Sequence, residues 1–141
     1  MSIEDKLAIL EGIALYSHTL DGGDDEAWVQ LYTEDAVWET FSKGADIPSI
    51  RYEGRDGIRQ FAAWMRSRQG KTQARHNKVN TIFVELTPTT ARVRSNGIIT
   101  VQAEGEEPRV ALTGIYAETW RKTTEGWRMA HVVLYQDRAA A

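Results

Sequence analysis

Three histidines, at positions 18, 76 and 131, are the groups in this sequence whose ordinary charge change falls near neutral pH, and no cysteine supplements them. A neutral imidazole takes a proton from carbon or oxygen when a second group fixes its tautomer and offsets the charge that forms. Asp21 is the candidate second group. It follows Leu10, Ala14 and Ser17 at the spacing of one helical stripe. A carboxylate placed there meets the negative end of the helix dipole and desolvation together, so an inward Asp21 needs a partner, and a histidinium suits it. The plainer reading is that Asp21 only serves the turn with Gly22 and Gly23.

His76 opens the first long strand pattern. Counting by twos from it gives Lys78, Asn80, Ile82, Val84 and Leu86, a face that turns apolar, so His76 and Asn80 are expected to project inward. Lys78 on that face calls for a bulge or a place at the rim. The alternative for His76 is a hydrogen-bonded strand histidine with no catalytic task. His18 lies across the helix from Leu7, Leu10 and Ala14 and is expected to be exposed. His131 alternates with Trp127, Met129 and Val133, which points it inward, into the core or a pocket. Hydroxyl donors come from Tyr16 and Tyr32, and Trp28 and Trp38 offer flat surfaces for a substrate. Each of these four is more often a core residue than a site residue.

Composition narrows the chemistry. The absence of cysteine removes disulfides, thiol nucleophiles and Cys-ligated metals. The histidines lack metal-motif spacing, no Gly-rich loop opens a helix after a strand, and Gly-x-Ser-x-Gly is absent, so no metal or cofactor is implied. A net charge of −3 speaks against nucleic acid as a partner. No stretch approaches the roughly 20 apolar residues of a membrane span, and the start lacks a basic region followed by an apolar run, so a cytoplasmic protein is expected.

The elements that must position these groups split at mid-chain. Ser2 and Asp5 form a variant capping box ahead of a helix over about Ile3 to Leu20, which Asp21-Gly22-Gly23 ends. Asp24 caps a short helix containing Ala27, Trp28, Leu31 and Tyr32. Val37–Phe41 and Arg51–Glu53 are short strands around a loop. A third helix carries Ile58, Phe61, Ala62 and Met65 on one stripe. Alternation then marks four long strands, with a hairpin turn at Thr123–Gly126 and an acidic, solvated connection at Glu104, Glu106 and Glu107. The 141 residues suit one domain, 1–141. Its class is α+β: a curved antiparallel or mixed sheet with three N-terminal helices packed on its concave face, forming a cone with a pocket.

Several segments carry a family resemblance: Tyr16 with Asp21, the run from Asp24 to Trp38, Gly54-Arg55-Asp56-Gly57-Ile58, Arg75-His76-Asn77 with Asn80, and Gly126-Trp127-Arg128. Together the whole chain resembles the nuclear-transport-factor-2-like superfamily, in its SnoaL-like branch. It is most similar there to cofactor-free lyases: scytalone dehydratase, bile-acid 7α-dehydratase and hexachlorocyclohexane dehydrochlorinase. In those an aspartate after the first helix pairs with a strand histidine, which the resemblance places on Asp21 and His76. Tyr16 and Asp21 repeat the Tyr-x-x-x-x-Asp spacing of the bile-acid enzyme. The resemblance also implies a homo-oligomer, trimer or dimer. A second pocket histidine is lacking unless His131 serves.

The reaction expected from this combination is proton abstraction by His76, oriented by Asp21, with elimination of water, a halide or a small aldehyde. Its substrate is a small hydrophobic molecule, aromatic or polycyclic. Tyr16 or Tyr32 supplies the acid, and Trp28, Trp38, Asn80 and His131 contact the substrate. Isomerisation of the ketosteroid kind or polyketide cyclisation is the nearest variant. Two readings from other classes remain: a binding or assembly module without chemistry, and the small subunit of a dioxygenase.

Overall fold

The computed structural model of the chain describes residues 2–140; Met1, where the start expected to lack a leader begins, and Ala141, the last residue of the expected domain, lie outside them. Ser2 Oγ accepts from the Asp5 backbone N–H at 3.1 Å and the Asp5 carboxylate accepts from the Ser2 N–H at 3.4 Å, the expected capping box. Helix α1 runs Ile3–Asp21. Its chain reversal uses Gly23, whose φ of 80° is open to glycine at little cost. Asp24 then caps α2 (Asp25–Val29) by accepting from the Ala27 N–H. Tyr32, expected in that helix, instead opens strand β1 (Tyr32–Lys43), which exceeds the expected short strand. β2 (Ile50–Glu53), α3 (Gly54–Gln69), β3 (Thr72–Leu86), β4 (Thr90–Ala103), β5 (Arg109–Thr123) and β6 (Gly126–Ala139) follow.

The six strands form one sheet in the order β2-β1-β6-β5-β4-β3. The β3–β6 meander is antiparallel, and β1 joins β6 in parallel. The sheet is therefore mixed, and the helices pack on its concave side: α1 against β3, and α3 against β1 and β2. This is the α+β cone expected from the sequence. No helix is long and apolar enough to cross a membrane.

Two expectations about facing fail, for physical reasons. The buried stripe of α1 is Ile9, Gly12, Ile13, Tyr16 and Leu20, while Leu7, Leu10 and Ala14 face outward. Gly12 belongs to the buried stripe because the Trp120 ring leaves no room there for a side chain. A Cβ at Gly12 would lie 2.6 Å from the Trp120 ring. In β3 the even residues face inward only as far as Lys78. Asn80 and Thr81 stand together opposite Ser95, and Asn80 takes a φ of 56°. This bulge reverses the alternation. Asn80, Ile82 and Val84 are consequently exposed, while Thr81 and Phe83 take the inner face.

Candidate active site

Asp21 ends α1 and His76 lies on the inner face of β3, and the two meet. The His76 backbone N–H donates to Asp21 Oδ2 at 2.8 Å, and His76 Nδ1 lies 2.5 Å from Asp21 Oδ1. A carboxylate only accepts, so Nδ1 carries the hydrogen, and in the neutral ring Nε2 then presents its lone pair. Both side chains are nearly withdrawn from solvent, Asp21 at 7% exposure and His76 at 13%. Two donors from one residue thus offset a carboxylate that the helix terminus and burial both disfavour.

The end of α1 is held by side chains from elsewhere. Arg66 of α3 donates to the Leu20 carbonyl and pairs with Asp25 at 2.7 Å. Gln73 of β3 donates to the Asp21 carbonyl at 3.0 Å. Carbonyls left over at a helix C-terminus need such partners, and here those partners also fix where the Asp21 side chain starts.

A cleft of about 380 Å³ opens beside the dyad. Asp21 and His76 line it with Trp64 and Met65 of α3, Ile99 and Val101 of β4, and arginines from α3 and β5. Its volume lies within the range of small-molecule sites, and its lining is mostly apolar with a few convergent polar groups. Among the described residues no three acidic or histidine side chains stand close enough together to hold a metal ion.

The remaining expected site residues are elsewhere. Tyr16, Tyr32, Trp28 and Trp38 do not line this cleft; all four are buried in the aromatic interior of the cone. The Tyr16 ring meets His76 edge to face, with centroids 6.3 Å apart, and its hydroxyl accepts from Trp38 Nε1 at 3.3 Å. Burial raises the pKa values of Tyr16 and Tyr32 above the ordinary phenol value. The Tyr32 hydroxyl has no hydrogen-bond partner among the described residues. Trp28 packs against Tyr16 and Tyr32, and Trp38 lies 4.5 Å from Phe61 between centroids.

Asn80 is exposed at the bulge and off the site. His131 is not inward. A register shift in β6 beside Ala130 separates Met129, facing in, from Val132 and Leu134, also facing in. His131 is left on the outer face, 2.6 Å from Glu39 Oε1, with Arg51 3.7 Å from the same carboxylate. His18 is exposed, as expected, but it shares a face with Leu7 and Ala14 rather than lying across from them, and that whole face points outward.

Sequence reasoning missed two features. Trp64 and Arg68 are four apart on α3, and the guanidinium lies 4.8 Å over the indole; that spacing was a readable signal. The other is Lys78, the cation expected at a bulge or at the rim. It is instead enclosed, 2.5 Å from Glu118 Oε2, with its Nζ 3.1 Å above the Tyr16 ring and 4.5 Å from that of Tyr116. Glu118 also accepts from Trp120 Nε1 at 2.9 Å. Burial pushes the Lys78 pKa down, and the Glu118 charge opposes that.

A cone of helices on a mixed curved sheet, with an acid–imidazole pair beside a cleft, defines the class of fold. Residues 1–133 match the SnoaL-like domain, and the chain belongs to that family. Solved structures agree on the fold. A Mycobacterium tuberculosis protein of unknown function is 24% identical, with a TM-score of 0.82 over 99% of this chain and 80% of its own. An NTF2-like protein with a cystatin-like fold from Novosphingobium aromaticivorans is 22% identical, with a TM-score of 0.80 over 99% of this chain and 86% of its own. A candidate scytalone dehydratase from the same organism is 21% identical, with a TM-score of 0.79 over 95% of this chain and 85% of its own. No protein of curated function matches the chain by sequence.

Proposed function

We propose that the protein is a cofactor-independent lyase in which His76 is the base and Asp21 its positioning residue. The observation that carries this reading is the pair of contacts between Asp21 and His76, which leaves Nε2 free of any partner among the described residues, in a side chain that lines an apolar cleft. Nε2 takes a proton from a substrate C–H. The electron pair released forms a carbon–carbon double bond, and the group on the neighbouring carbon leaves with its own bonding pair. A halide departs as the anion. A hydroxyl departs as water, taking back the proton that His76 now holds. Asp21 holds the Nδ1–H tautomer throughout and stabilises the imidazolium between the two transfers.

Such a base accounts for about 10²–10⁴-fold in rate, so the dry, apolar wall must contribute by strengthening the electrostatics within it. The substrate is small and hydrophobic, with a ring that lies against Trp64 and Met65. Tyr16 contributes through its ring edge, which limits the tilt of the imidazole, rather than through its hydroxyl. Isomerisation needs the same base, and differs only in returning the proton to another carbon. A homo-oligomer belongs to this reading, its outer face offering the stacked pair Phe41 and Tyr135.

The test is turnover by purified protein of a panel of hydroxylated and halogenated cyclic compounds, followed by mass and absorbance. Loss of water or halide by the wild type, abolished in His76→Ala, is the expected result. A His76→Ala variant as active as wild type removes the base role. A wild type that binds panel members without converting any leaves the dyad a structural ion pair in a binding module.

A further inference from the structure

The cleft beside the dyad carries a charge bias that the protein as a whole does not. The chain is acidic, at −3, yet three arginines line this cleft and Asp21 is its only acid among the described residues. Asp21 is occupied by His76, and Arg66 by Asp25, Gln69 and the Leu20 carbonyl. Arg68 and Arg109 remain. Neither guanidinium has a hydrogen-bond or ion-pair partner among the described residues, and each comes from a different element, α3 and β5. Arg68 is held over the Trp64 indole, so its position is partly set before any ligand arrives. Both arginines are exposed, whereas the dyad is nearly enclosed, so the cleft is charged at its open side and apolar between.

We propose that this cleft selects hydrophobic acids: molecules whose ring fills the space along Trp64, Met65 and Ile99 and whose carboxylate is taken by Arg68 and Arg109. The inference rests on the reading of the dyad for the substrate's other end. A carboxylate next to the carbon that loses a proton would oppose a second negative charge there. An anionic group held at the rim, away from Nε2, avoids that penalty. It contributes binding energy from a part of the substrate that does not react, which is how an enzyme orients the part that does. Arginine suits the task, because its planar fork matches a carboxylate and stays charged at every working pH.

The experiment uses two probes of one shape, 2-naphthoate and 2-naphthamide, titrated into the full chain at low salt. Affinity is read by calorimetry, and location by the NMR signals of His76 and the Trp64 indole. The naphthoate is expected to bind at least about tenfold more tightly than the amide, with both moving the His76 and Trp64 signals. Arg68→Gln/Arg109→Gln should bring the two affinities together, and added salt should narrow the gap in the wild type. Both positions are exposed, and circular dichroism of the variant checks that the fold persists. Equal affinities in the wild type, a preference that survives the double variant, or no binding of either probe overturns the proposal. His76→Ala separates this from the base role: it should keep the preference for naphthoate while losing turnover. A lost preference with turnover intact in the wild type would sink the acid selection alone.

Discussion

Lys78 Nζ stands 2.5 Å from Glu118 Oε2 inside the cone, with both side chains all but sealed from water, at 1% and 2% exposure. The pair sits two residues along β3 from His76, and the Tyr16 ring touches both the ammonium and the imidazole. Breaking such a pair strands an uncompensated charge and costs about 3–5 kcal/mol. Lys78→Met and Glu118→Gln are therefore each expected to lower stability by that order in urea denaturation. Lys78→Met/Glu118→Gln should recover most of the loss, since no charge is then left unpaired and the amide oxygen can still accept from Trp120 Nε1. Independent, additive losses would show that the two groups are not coupled.

Asp21→Asn tests the orientation of the base. An amide in place of the carboxylate can donate as well as accept, so Nδ1 loses its enforced hydrogen and the Nε2–H tautomer becomes available. The ¹⁵N shifts of His76 should change from one tautomer to a mixture. The kcat/KM of any established substrate should fall by about 10²–10⁴-fold. An unchanged tautomer with unchanged kcat/KM would leave Asp21 as no more than a turn residue.

Gly12 lies in the buried face of α1, where alanine would ordinarily raise helix stability by about 1 kcal/mol. Here the effect should have the opposite sign. An added methyl would come within 2.6 Å and 2.9 Å of two atoms of the Trp120 ring, and that ring is enclosed and held by its bond to Glu118. Gly12→Ala is expected to lose about 1–3 kcal/mol, the usual range for overpacking. A rise in the thermal midpoint would show that Trp120 yields.

Acid should weaken the fold through Asp5. Its carboxylate accepts from Trp127 Nε1 at 2.9 Å, from Ser2, and from Lys122 at 3.2 Å, and these bonds hold its pKa well below the usual carboxylate range. A carboxyl whose pKa falls on folding contributes stability that is complete above the ordinary value of about 4. That stability is lost as pH falls toward the folded value, because the unfolded chain then binds a proton that the folded chain refuses. Denaturation midpoints between neutral pH and about pH 2 should fall less steeply in Asp5→Asn than in wild type. Parallel curves would contradict this role.

The bulge at Asn80 makes a further prediction. With φ at 56°, asparagine is tolerated and a β-branched residue is not. Asn80→Val should destabilise by about 1–2 kcal/mol, whereas Asn80→Gly should be near neutral. Urea midpoints check this, and a harmless valine would show that position 80 does not need the positive φ.

Much of this architecture was legible in local chemistry. The capping box at Ser2 and Asp5, the stop after Asp21, the stripe of Ile58, Phe61 and Ala62, and the hairpin at Thr123–Gly126 depend on residues within a few positions of each other, so spacing alone determined them. Asp21 and His76 were also visible as a carboxylate needing a partner and an imidazole able to be one. The facing of Asn80 and His131 was not visible. Period-two counting carries no mark of an inserted residue, and the bulges beside Ser95 and at Ala130 exist because neighbouring strands pair around them. Nor could counting find Glu118 for Lys78, 40 residues away, or bring Arg68 and Arg109 to one cleft. Those choices belong to the tertiary structure, because the cost of burying a charge, and the relief of that cost, arise only once distant segments close around it.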